Sequence, residues 1–227
     1  MNKKLIARYL LDQVLSILGA GAAMFWSAGR FDWWQAWAAI GVWLAFFAAT
    51  DIVLLRSNPN LMAERLSPPK GAKTWDITLV SILRLTQLAR YILAGLDQRF
   101  GWTSSFPLAV LIASLVVCVL GNALFVWAMA SNTYFSQVVR IQSERGHVVA
   151  ANGPYRYVRH PGYVGMILFD LALSTLLGSW WAILAGGLCA LLLVLRTALE
   201  DRTLQAELSG YADYARQVPY RLIPGVW

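Results

Sequence analysis

Apolar runs of membrane-spanning length dominate this chain and constrain its fold more than any other feature. A helix needs about 20 mostly apolar residues to cross the hydrocarbon of a bilayer. Residues 10–28, 33–55 and 106–130 each supply such a run, and residues 163–195 supply a longer one divided at Gly178-Ser179-Trp180. That last stretch reads as a tight hairpin whose apolar arms are about 16 residues, or roughly 24 Å, long. Of the 227 residues, 58% are hydrophobic and 14% charged, where soluble domains run near 45–50% and about 25%. A chain of this size cannot hide that excess in a water-soluble core. The expected fold is all-α: a polytopic membrane helix bundle of about five to six transmembrane helices with a C-terminal helical hairpin. Within this single membrane domain, residues 1–105 supply N-terminal transmembrane helices and residues 106–227 a core that carries the chemistry.

Residues 75–96 are ambiguous on composition, because Arg84, Gln87 and Arg90 would also suit an amphipathic helix lying on the surface. Charge counting decides in favour of a span. With this segment crossing, 15 of the 19 Lys and Arg fall on the side of the amino terminus and two, Arg30 and Arg99, on the other. Such a bias puts both termini in the cytoplasm, in a cell inner membrane or an endomembrane. Trp33, Trp34, Phe100, Trp102, Trp180 and Trp181 then fall at the outer ends, where aromatic rings favour the headgroup layer. Lys3-Lys4 before an apolar run resembles a secretory signal, but Asp12 and Gln13 interrupt the run, so it reads as an anchor. Pro68-Pro69-Lys70-Gly71 reads as a connector.

Several function classes drop out. Cys118 and Cys189 lie inside apolar runs without His or Cys at ligand spacing, which argues against a disulfide framework and against a metal site. The net charge of +7 comes from loops between spans, so it serves membrane orientation and not nucleic-acid binding.

Chemistry-bearing residues collect in 131–160 and 196–225, which the hairpin returns to the same side. Pro161 suits the first turn of a helix, where its missing donor costs nothing. The free N–H groups at that helix start favour an anion such as a carboxylate. Gly162 and Gly165 leave room for close approach of a ligand or a second helix, and Arg156, Arg159 and His160 add positive charge at the boundary. On a helix continuing out of the membrane, Arg196 and Glu200 are one turn apart and share a face. Carboxylates this near hydrocarbon are costly unless paired or used. Gly210 is expected to stop this helix, letting Tyr211, Tyr214 and Arg221 fold back over the site.

At these residues the chain resembles the isoprenylcysteine carboxyl methyltransferase family, which includes related phospholipid methyltransferases. The resemblance rests on His147, Gly153, Tyr155, Arg159, His160, Pro161, Tyr163 and Gly165 in a first motif. Glu200, Leu204, Gly210, Tyr211, Tyr214, Arg221 and Pro224 form the second, with Asp201 where the family pattern has a second Glu. The resemblance implies an integral membrane enzyme using S-adenosylmethionine, both motifs wrapping the cofactor at the cytoplasmic face.

On that reading His147, Gly153, Tyr155, His160, Pro161, Gly162, Tyr163, Gly165, Glu200 and Asp201 hold the cofactor, the two acids offsetting its positive charge. Arg159 and Glu200 carry the catalytic roles. Arg159 orients an anionic acceptor, because a guanidinium fork matches a carboxylate, and Arg196, Tyr211, Tyr214 and Arg221 complete the acceptor site. The acceptor is lipophilic, a carboxylate as in an isoprenylcysteine being the first choice, and its tail enters from the membrane lipids between 106–130 and the hairpin. An amine on a phospholipid, or a small-molecule amine or thiol, is the alternative acceptor; an amine would need a base such as Glu200. Sterol reductases using NADPH also carry an Arg-His-Pro element before a hairpin. A non-enzymatic bundle using Arg84 and Arg90 as an anion path is the remaining class.

Overall fold

A computed structural model describes residues 3–57, 61 and 71–227. Among these residues every regular element is helical, and the α-helices are α1 (Lys3–Ala28), α2 (Trp34–Ser57), α3 (Thr74–Phe100), α4 (Leu108–Ala130), α5 (Pro161–Leu176), α6 (Trp180–Glu207) and α7 (Tyr211–Gln217). Helices α1–α4 and α6 are each long and apolar enough to cross a membrane, α3 included despite its arginines. Helix α5, with 16 residues, is the short arm of the hairpin. The connector at 68–71 lies outside the described residues apart from Gly71.

Local chemistry sets the helix ends. Pro161 opens α5. Gly178, at φ 72°, makes the hairpin turn, and the Ser179 hydroxyl accepts from the Ala182 N–H to start α6. Helix α6 carries on past its apolar arm to Glu207, three residues short of Gly210. Gly210, at φ 82°, instead turns the chain into α7.

The side chains pointing out of the bundle are apolar: Leu18, Leu120 and Leu191 are 61%, 60% and 68% exposed, so the medium that suits this surface is hydrocarbon. Inside, small residues let backbones touch, as expected where lipid supplies no hydrophobic drive. A Cβ on Gly121 of α4 would lie 2.8 Å from the Gly165 carbonyl of α5. One on Gly95 of α3 would lie 2.6 Å from the Met24 carbonyl of α1. One continuous core draws Met24 from α1, Ala36 from α2, Tyr91 from α3, Cys118 from α4, Leu173 from α5 and Ala182 from α6.

Two expectations are corrected here. Trp33 is not part of the outer aromatic belt; it is 1% exposed, in the core, while Trp34, Phe100, Trp102, Trp180 and Trp181 are exposed. Arg90 lies on no open path either. It is fully buried and pairs with Asp170 of α5 at 2.6 Å, so this charge cross-links α3 and α5 in the middle of the bundle.

Candidate active site

Asp201 organises the end of the bundle that carries α7. Its carboxylate is fully buried on α6. It accepts from Arg159 Nε at 2.7 Å and Nη2 at 3.0 Å, from Arg221 Nε at 2.8 Å, from Gln205 at 2.7 Å and from the Tyr211 hydroxyl at 2.9 Å. His160 Nε2 lies 3.2 Å away. Backbone bonds fasten the same junction: the Arg159 and His160 N–H groups donate to the carbonyls of Tyr220 and Arg221 at 2.9 and 3.0 Å. The Tyr214 hydroxyl donates to the Tyr155 carbonyl at 2.7 Å. The two motifs, some 40 residues apart in the chain, thus meet in one place.

A cavity of about 990 Å³ opens against this junction. His147, Tyr155, Arg159, His160, Gly162, Tyr163, Arg196, Glu200, Tyr211 and Tyr214 line it. Burial pushes the phenols of Tyr155, Tyr211 and Tyr214 above their ordinary range, so they form a neutral aromatic wall. Burial, with Arg145 and Arg140 nearby, holds His147 below the usual imidazole range. Neutral His147 accepts from the Gln142 N–H at 3.3 Å and lies against Tyr134 with ring centroids 4.5 Å apart. Glu200 receives the Tyr163 hydroxyl and is in no ion pair among the described residues.

Several of the expected site residues are engaged by protein partners. Arg159 is expected to fork onto the acceptor, but its fork is closed on Asp201 and its Nη1 donates to Val218 and Pro219 at 2.9 and 2.8 Å. It positions the loop that bears His160. Asp201 does not face the cavity; its oxygens are saturated by protein donors. Arg221, packed over Trp227 at 4.9 Å, belongs to the same junction and not to the cavity wall.

Arg196 faces the cavity but pairs with Asp76 of α3 at 2.6 and 3.1 Å, not with Glu200. Gly165 is used for helix contact with Gly121, and Gly153, at φ 58°, packs against Ser131. Neither lines the cavity, and Pro161 does not either. The expected path for the acceptor between α4 and α5 is closed by the Gly121–Gly165 contact. The membrane part of the cavity is bounded instead by α1, α2 and α3, through residues such as Gln13, Phe46 and Leu83.

Residues 113–206 match the isoprenylcysteine carboxyl methyltransferase (ICMT) family. The chain matches this family over less than half of its own length. It is 29% identical over 136 residues to protein-S-isoprenylcysteine O-methyltransferase A of Arabidopsis thaliana, covering 59% of this chain and 64% of that one. To the protein-S-isoprenylcysteine O-methyltransferase of Tribolium castaneum it is 27% identical over 131 residues, 56% of this chain and 44% of that one. The matches therefore span less than two thirds of these relatives' length. A solved eukaryotic intramembrane Ras methyltransferase ICMT superposes with a TM-score of 0.53 at 19% identity, covering 100% of this chain and 88% of that one. That likeness concerns the fold, a multi-pass integral membrane bundle.

Asp76 is the residue at this end of the bundle that sequence reading missed. It accepts from Arg196 and from the Val139 N–H at 2.7 Å, pinning loop 136–139 to α3. Its only sequence signal is an acid in the first turn of a helix, which usually serves the helix dipole.

Proposed function

We propose that this protein is an S-adenosylmethionine-dependent methyltransferase that methylates a carboxylate on a lipophilic acceptor drawn from the bilayer. The observation that carries the reading is Glu200, a carboxylate without an ion pair among the described residues, facing a tyrosine-walled cavity beside the joined motifs. That donor set fits the cofactor: a carboxylate and aromatic faces suit a sulfonium cation. A cavity of about 990 Å³ has room for cofactor and acceptor together. When bound, S-adenosylmethionine supplies a methyl group already activated on positive sulfur.

The protein's own task is then to orient the acceptor and exclude water. Glu200 and His160 hold the cofactor side, and Asp201 fixes His160 from behind. Tyr155, Tyr163, Tyr211 and Tyr214 close the walls. Trp43, Phe46, Phe47 and Phe125 offer the tail an apolar face. A carboxylate acceptor needs no base, which agrees with a site in which Glu200 is free to face a cation. The positive-inside bias puts this end of the bundle, and both termini, in the cytoplasm.

The test is transfer of tritiated methyl from S-adenosylmethionine into a membrane extract by the purified protein, with identification of the labelled product. Base-labile label in a lipophilic ester, lost in E200Q, is the expected result. Absence of transfer, or label only on amines or thiols, would overturn the carboxylate reading.

A further inference from the structure

The cavity is lined by four arginines, Arg84, Arg140, Arg159 and Arg196. Three have carboxylate partners: Arg140 pairs with Glu144, Arg159 with Asp201 and Arg196 with Asp76. Arg84 has none among the described residues, although it lies in a span. An unpaired guanidinium at that depth is expensive and marks function by default.

Its setting is a cleft between α1 and α3. The two helices touch near their outer ends, where Gly95 meets Met24 and Ala28. Arg84 lies eleven residues before Gly95, and residues 13–17 lie eleven before that contact on α1, so both are about 16 Å below it. On α3, Leu83, Arg84, Gln87 and Tyr91 face the cavity with helical spacing; on α1, Asp12, Gln13 and Ser16 do the same. Gln13 is held by Asp51 at 2.8 Å. Asp12 and Arg84 face one cavity at about one height without forming an ion pair, so a ligand can enter between them. Arg84 starts about 12 Å along α3 from Asp76 and leans back toward the transfer site, as helical side chains lean toward the N-terminus.

We propose that Arg84, and not Arg159, seats the acceptor's anionic group, while Asp12 receives a hydrogen-bond donor on the same molecule. The acceptor class is an amphiphile with a carboxylate next to an N–H or O–H group. A bare hydrocarbon chain would leave both charges unsatisfied. The assignment of this ligand as methyl acceptor rests on the function proposed above; its binding does not.

The test uses the purified full chain in lipid nanodiscs and two probes, N-acetyl-S-farnesylcysteine and its methyl ester. A charge-assisted pair predicts about ten- to a hundred-fold tighter binding of the acid by the wild type. R84Q is expected to bind acid and ester equally, R84K to recover part of the preference, and all three to bind S-adenosylhomocysteine alike, showing that they are folded. D12N is expected to weaken the N-acetyl acid several-fold but not its N-methylated analogue. No acid preference in the wild type, or a preference kept in R84Q, overturns the proposal. Acid preference without methyl transfer overturns the proposed reaction and leaves the Arg84 site standing; transfer that is indifferent to R84Q does the reverse.

Discussion

Replacing Asp201 by Asn probes the junction on which the whole site depends. Asn keeps one acceptor oxygen and turns the other into a donor. The bidentate bond from Arg159, at 2.7 and 3.0 Å, and the bond from Arg221 at 2.8 Å cannot all survive. Breaking a buried ion pair by removing one partner costs about 3–5 kcal/mol, because the remaining cation stays buried. At about 1.4 kcal/mol per decade that raises the open fraction of the junction by two to nearly four orders of magnitude.

The readout is amide exchange at Arg159 and His160, whose N–H groups donate to Tyr220 and Arg221, together with S-adenosylhomocysteine binding. D201N should lose protection at these two amides and lose cofactor-product affinity while α1–α4 stay protected. The exposed pair Lys73–Glu207, at 2.6 Å, is the control: E207Q should cost no more than about 1 kcal/mol. Protection at Arg159 and His160 unchanged in D201N would refute the idea that Asp201 holds the motifs together.

The remaining tests address packing, the core pair and pH. Gly165→Ala puts a Cβ against the backbone of Gly121 and Phe125, so thermal stability in detergent should fall by about 1–3 kcal/mol, with Gly187→Ala, which has open space, near neutral. R90M strands the buried Asp170 and should cost about 3–5 kcal/mol, whereas the double variant R90M/D170L should recover most of it; a double variant no better than the single one counts against the pairing account. His147 has a folded pKa below its ordinary value, so as pH falls below about 6.5 the opened loop takes up a proton first and stability is lost. Protection factors in 140–150, with the intrinsic pH dependence of exchange divided out, should therefore fall between pH 7.5 and 6, and H147Q should flatten that fall.

The sequence was most informative where one physical variable decides the outcome. Hydrophobic run length sets the spans, and charge bias resolved 75–96 as α3. Turn and cap chemistry located Pro161 at the start of α5 and the break at Gly178-Ser179. What stayed illegible was the pairing of charges. Arg196 and Glu200, one turn apart on α6, satisfy every local rule for a pair, yet α3 brings Asp76 to Arg196. Arg90 finds Asp170 across 80 residues, and Arg159 spends its fork on Asp201.

Spacing along one helix says which residues share a face, but a buried charge is claimed by whichever partner the packing of other helices delivers. The same reasoning explains why the functional assignment moves within the molecule. A motif arginine whose donors are consumed cannot also orient a ligand, which is why the proposal turns to Arg84, the cavity arginine without a carboxylate partner among the described residues. Residue type and depth were readable for Arg84 from the beginning; that it has no carboxylate partner among the described residues became visible only once each other guanidinium in the cavity had been matched to its carboxylate.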